Sequence, residues 1–314
     1  MYFWTLAIRI IFLSQTTIGI LGNFSLMFCY LVLYYRECTL KPTDLILLHL
    51  MTANAMTILS LGVPHTMAVF GLMWFLNDLG CRMVIYIQTV GWSVSIGTTC
   101  LLSVFQVITI RPRELCWKDH KVKAENFIDC SIFLLWGFYM LIHFIFFMYP
   151  LIKLNSKNMT GKRDFGYCSI VGSDEISGSL YAAMVMCPEV FFSVCIALSS
   201  GSMIVTLYRH KKRVQHIHSS HGYNRTSPES RATQNILVLV STFLVFYSLS
   251  SILRGCIALL YNHNWCLVNI TPFISLCFPS FGPFILMNHC SIVHRITLIW
   301  IRNKNNLILF EVHE

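Results

Sequence analysis

Seven long apolar stretches separated by short polar loops divide this chain. They run approximately Thr5–Leu33, Thr43–Phe70, Cys81–Ile110, Phe127–Pro150, Leu180–Tyr208, Thr233–Tyr261 and Ile270–His289. A helix needs about 20 mostly apolar residues to cross the hydrocarbon core of a bilayer. Only helices or closed barrels satisfy their backbone hydrogen bonds there, and these stretches are too long and continuous for the alternating pattern of barrel strands. The expected fold is an all-α membrane protein, a seven-transmembrane helix bundle. Charged residues make up 12% of the chain, against about 25% in soluble proteins. No segment outside the stretches is long enough for a separate globular unit, so residues 1–314 are expected to form one membrane domain, with 291–314 as a short cytoplasmic tail. Pro272, Pro279 and Pro283 fall in the last stretch, where each removes a backbone donor and favours a kink.

The first stretch is longer than the roughly 7–15 apolar residues of a signal peptide and ends in no small-residue cleavage site, so it reads as a retained span. Of the 23 Lys and Arg residues, sixteen fall in the loops after spans one, three and five and in the tail. Six fall on the other side, and Arg254 lies inside the sixth span. The larger set belongs in the cytoplasm, which places the amino terminus outside the cell. The net charge of +9 is therefore explained by membrane orientation and not by nucleic acid. Among the glycosylation sequons, Asn158-Met159-Thr160 lies in the second outer loop, a location an oligosaccharide can reach. Asn269 lies outside but close to the membrane, while Asn23 and Asn224 lie in a span and an inner loop.

Most of the thirteen cysteines sit inside spans, where they behave as small apolar packers. Cys81, at the outer end of span three, and Cys168, in the second outer loop, both lie on the oxidising side, where a disulfide persists. They either form one or stand as two unrelated thiols. No Cys/His spacing indicates a metal site, and no cofactor is expected.

Gly91 through Gln106 resembles the third helix of vomeronasal type-1 receptors. Ser227 through Phe243 resembles their sixth, Leu13-Ser14-Gln15 through Gly22-Asn23-Phe24-Ser25 their first, and Tyr208 through His218 their third inner loop. The resemblance covers nearly the whole chain. It implies a rhodopsin-like architecture, a place in the plasma membrane, detection of pheromones or related small chemosignals, and activation of a heterotrimeric G protein of the inhibitory class. Departures from the wider rhodopsin-like pattern agree with it. Phe105-Gln106-Val107 replaces the Asp-Arg-Tyr at the inner end of helix three, Asn54 replaces the second-helix Asp, and Gly282-Pro283-Phe284-Ile285-Leu286 lies where Asn-Pro-x-x-Tyr is expected. The sodium site and ionic lock of those receptors are not carried over. The missing Asp-Arg-Tyr disfavours odorant receptors, and the motifs of bitter-taste receptors do not match.

Ionisable groups at membrane depth are costly and point to function. With the fifth span starting near Leu180, Glu189 and Arg254 both lie roughly 10–13 Å below the outer boundary. They either share a polar layer at the ligand pocket or find other partners, Arg254 by reaching outward along its aliphatic stem. His65, Gln88, Trp92 and His143 lie at similar depth. Each histidine is either a ligand contact or a hydrogen-bonded packing residue. Gln88 occupies the position of the amine-binding Asp of aminergic receptors, so a cationic amine lacks its usual anchor. Trp92 stands where a smaller or basic residue is expected; it either narrows the cavity or packs against a helix or lipid. An apolar cavity with a few directed polar groups suits a volatile or steroid-like small molecule. On the inner face, Gln106, Arg209, Lys211, Lys212 and Arg213 are the candidate G-protein-facing residues. The basic run serves either the G protein and anionic membrane lipid or orientation and lipid contact alone. A small transporter or channel would require inverted repeats, which are not evident. An enzyme would require a nucleophile–base or metal cluster at depth, also not evident.

Overall fold

The structure is a computed structural model. It describes residues 2–37, 40–110, 117–153, 162–164, 167–171, 184, 186–217, 228–259 and 265–289, with the side chains at several helix ends outside that description. The helices are α1 (Tyr2–Glu37), α2 (Pro42–Val69), α3 (Asp78–Ile110), α4 (Trp117–Lys153), α5 (Cys187–Ile217), α6 (Pro228–Leu259) and α7 (Trp265–His289). All seven contain a segment long and apolar enough to cross a membrane. The all-helical expectation needs one addition. The second outer loop carries a two-stranded antiparallel ribbon, β1 (Lys162–Asp164) with β2 (Ser169–Val171), in which Arg163 faces Ile170. Cys168, beside β2, is disulfide-bonded to Cys81 at the start of α3, with the two Cα atoms 5.8 Å apart. Tyr167 and Cys168 are buried against Ala68 and Cys81, so this part of the loop is held onto the outer ends of α2 and α3.

The sequence puts most span ends within a turn or so of the helices, with two larger differences. The α-helical part of α5 runs from Cys187 to Ile217, nine residues past Tyr208; Met184 and Met186 just before it are π-helical, and the expected start at Leu180 lies outside the described residues. α4 begins at Trp117, about ten residues before the apolar stretch, because a helix continues past the bilayer once its polar face meets water.

α3 is the axis of the bundle. It packs on α2, α4, α5 and α6, and 72% of its spanning segment is buried, against 17% for α5. Close approach to α2 rests on Gly91: a Cβ there would lie 2.8 Å from Thr57 Oγ1 and 2.9 Å from the Ala53 carbonyl. α2 widens into a π-helical turn over Ile58–Gly62, closed by the Val63 N–H on the Ile58 carbonyl. This wider turn lies just before Pro64, whose ring would press on the Ser60 carbonyl in a regular helix. In α7, Pro283 has no N–H for the carbonyl of Pro279 one turn earlier. Asn23 of α1 fills that role: its Nδ2 donates to the Pro279 carbonyl at 2.8 Å and to its own Gly19 carbonyl at 2.8 Å. Arg9 is accommodated in α1 because its Nε donates at 3.0 Å to the Val69 carbonyl at the end of α2, and its guanidinium lies 5.7 Å from the Phe70 ring centroid. A cation at a helix carboxyl end is favourable.

Gly91→Ala is expected to force α2 and α3 apart and to cost about 1–3 kcal/mol, seen as a lower thermal unfolding midpoint of the detergent-purified protein. Gly137→Ala, where a Cβ meets nothing within 4 Å, is expected to leave the midpoint unchanged or slightly higher.

Candidate functional site

Three polar side chains from three helices meet in the bundle. Ser93 of α3 donates its hydroxyl to Glu189 Oε1 of α5 at 3.1 Å, and His143 Nε2 of α4 lies 3.1 Å from the same Ser93 oxygen. All three are buried, at 1%, 3% and 7% exposure for Ser93, His143 and Glu189. A hydroxyl has one proton. With that proton given to the carboxylate, His143 Nε2 must carry a hydrogen to complete its own bond. The chain therefore runs from His143 through Ser93 to Glu189. Glu189 sits in the first α-helical turn of α5, just after a π-helical turn that includes Met184 and Met186. Tyr139, one turn before His143 in α4, stacks on the imidazole with centroids 6.0 Å apart and holds the ring's plane.

Trp92, next to Ser93, points to the other side of α3, since consecutive helix residues are turned by about 100°. It is buried and stacks on Tyr247 of α6 with centroids 5.0 Å apart. Tyr247 stacks on Phe243 at 5.3 Å, and Phe243 meets Phe278 of α7 edge-on at 4.6 Å. Of the two readings of Trp92, the structure has both cavity lining and helix packing, and no exposure to lipid. Trp92, Ser95, Tyr247 and Ser275 border a small enclosed cavity. Beside it, Ser95 donates to Asn54 Oδ1 at 3.0 Å, and Ser275 is hydrogen-bonded to Ser250 of α6. A neutral Asn–Ser pair thus stands where many rhodopsin-like receptors have a carboxylate.

The remaining candidates are placed differently. His65 is buried among α1 and α7 residues, its ring 4.6 Å from Phe12, which in turn meets Phe273 edge-on. Gln88 is half-buried on α3, outside the hydrogen-bonded chain. The side chain of Arg254 lies outside the described residues, so its pairing with Glu189 is not described; the partners seen for Glu189 include Ser93. Asn158 also lies outside them. At the inner end, Arg209 and Lys212 are exposed, while Gln106 is buried at 7% exposure and does not present an open surface in this conformation. The side chains of Lys211 and Arg213 are outside the description. Among the described residues no group of His, Cys, Asp or Glu could hold a metal ion. Ser93 and Tyr247 escaped the sequence reading because nothing in an apolar helix says which neighbour a lone hydroxyl faces.

Residues 6–298 match the model of the vomeronasal organ pheromone receptor family. The chain belongs to the vomeronasal type-1 receptor family. It is 47% identical to human vomeronasal type-1 receptor 4 over 290 residues, covering 92% of this chain and 96% of that one. It is 48% identical to human vomeronasal type-1 receptor 2 over 275 residues, 88% of this chain and 70% of that one. It is 28% identical to the zebrafish (Danio rerio) olfactory receptor class A-like protein 1 over 278 residues, 88% of this chain and 87% of that one. As a vomeronasal receptor it is a multi-pass chemosensory G-protein-coupled receptor of the cell surface, not an enzyme. The bitter-taste and transporter alternatives are not favoured.

The shared Ser93 hydroxyl makes a specific prediction. In thermal unfolding of the purified receptor, Ser93→Ala and Glu189→Ala are each expected to cost about 0.6–2 kcal/mol. The double variant is expected to cost less than their sum, because both remove the same bond. Strict additivity would show that Ser93 and Glu189 do not interact.

Proposed function

We propose that the layer formed by Glu189, Ser93, His143 and Trp92 receives the small-molecule chemosignal, and that the receptor acts through a G protein of the inhibitory class. The observation that supports the site is the position of Ser93. It bridges Glu189 and His143 on one side of α3, while its neighbour Trp92 stacks on α6 from the other. A ligand that takes over a hydrogen bond of Glu189 or His143 changes how α3 sits between α4, α5 and α6. That gives it different contact energies in two bundle arrangements, the condition for shifting a population between them. The lining around these groups is apolar and aromatic, which suits a small apolar molecule with one polar end group. Gln88 and Arg254 lie on the same two helices as Trp92 and Tyr247 and are assigned to the wall of this site; His65, among α1 and α7, is assigned a packing role.

At the inner end, opening of α5 and α6 away from α3 uncovers Gln106 and offers the basic run of Arg209, Lys211, Lys212 and Arg213 to the G protein. The same cations lie at the level of anionic inner-leaflet lipid. Asn158 is assigned as the glycan acceptor of the second outer loop.

The test is a chemosignal screen in cells expressing the receptor, read as a fall in stimulated cyclic AMP. Glu189→Ala and Ser93→Ala are expected to weaken the response tenfold or more in half-maximal concentration, about 1.4 kcal/mol, at unchanged surface expression. Full responses in both variants would remove the site assignment. A ligand-dependent rise in cyclic AMP would remove the inhibitory-class assignment.

A further inference from the structure

The inner half of the bundle carries a membrane-facing groove between α1, α2 and α4, with a volume of about 610 Å³. Leu31, Leu45, Ile132 and Phe133 make most of its walls, and His49 and Trp136, whose rings lie 6.3 Å apart, close its deeper part. At its inner mouth stands Asp129 of α4, an exposed carboxylate two residues inside the spanning segment. A carboxylate so placed is costly unless something answers its charge. No cation lies within ion-pair distance of it among the described residues. Lys41 lies one helical turn inward of the groove-lining Leu45, whose N–H donates to the Lys41 carbonyl at 3.0 Å. Lys41 is also exposed and also lacks an ion-pair partner among the described residues.

We propose that this groove is a binding site for phosphatidylethanolamine of the inner leaflet. Asp129 lines the groove and Lys41 stands one helical turn inward of its wall on α2, the two without an ion pair to each other, and a zwitterionic phosphoethanolamine headgroup answers both. Its ammonium group has three N–H donors for the Asp129 carboxylate, a charge-assisted bond, and its phosphate meets Lys41. The groove behind the mouth takes an acyl chain. From Leu45 to Thr52 and from Asp129 to Trp136 the walls extend about 10 Å along the helices, within the roughly 15 Å of one leaflet's hydrocarbon. The mouth also discriminates. A phosphatidylcholine headgroup has the same charges but no N–H to donate. An anionic lipid places its net charge against Asp129. A sterol hydroxyl satisfies Asp129 but leaves Lys41 unanswered.

The test is the lipid that stays with the full-length receptor through detergent purification, measured by mass spectrometry against the bulk membrane. Phosphatidylethanolamine is expected to be enriched over phosphatidylcholine about threefold, the scale of one exposed ion pair. Asp129→Asn is expected to abolish that enrichment and Asp129→Glu to keep it. Lys41→Glu, which leaves the groove walls intact, is expected to reduce it, which keeps the test decisive if the Asp129→Asn chain folds poorly. Equal retention of the two lipids by the unaltered receptor, enrichment unchanged in Asp129→Asn, or sterol enriched in place of phosphatidylethanolamine would each overturn the proposal.

Discussion

Hydrocarbon offers no hydrogen bonds, so every backbone polar group that enters the bilayer must find its partner inside the protein, and a buried side-chain polar group gains by doing so. This constraint explains more of the structure than any apolar contact does. Lipid tails are as apolar as leucine, so apolar side chains alone do not decide which helices touch. The decisive contacts are small residues that let backbones approach and polar groups that bind across helices. Gly91 brings α3 onto α2, Ser95 and Asn54 join the same two helices, and Ser93 ties α3 to α4 and α5. Gly91, Ser93 and Ser95 all lie on α3, whose spanning segment is 72% buried.

The same constraint governs the irregular helices. Three prolines in α7 remove backbone donors within the membrane. One of the carbonyls left over, that of Pro279, is answered from α1 by Asn23. The π-helical turn of α2 next to Pro64 is the corresponding adjustment without a partner helix. Such defects are tolerated where a neighbour supplies the missing bond, and they also mark places where a helix changes shape at low cost.

Length, hydropathy and charge asymmetry show the spans and their orientation, because those properties are summed over many residues and tolerate local exceptions. The family was legible for the same reason: long blocks such as Gly91–Gln106 carry it. Glu189 and His143 stood out as polar residues in apolar surroundings. What the sequence did not show was their meeting point, since Ser93 differs from other membrane serines only in what it faces. Gln106 was singled out by its place near the inner end of α3, and its burial depends on neighbours that no single helix reveals.

The arrangement joins reception and response through two adjacent residues of one helix, Ser93 toward the polar chain and Trp92 toward the aromatic column of Tyr247, Phe243 and Phe278. The most direct measurement is an experimental structure of the receptor with an activating chemosignal and its G protein. The account predicts ligand density within hydrogen-bond distance of Glu189 or His143, together with a changed Trp92–Tyr247 stack. Ligand density elsewhere, with the Ser93 bonds and the stack as they are here, would contradict it.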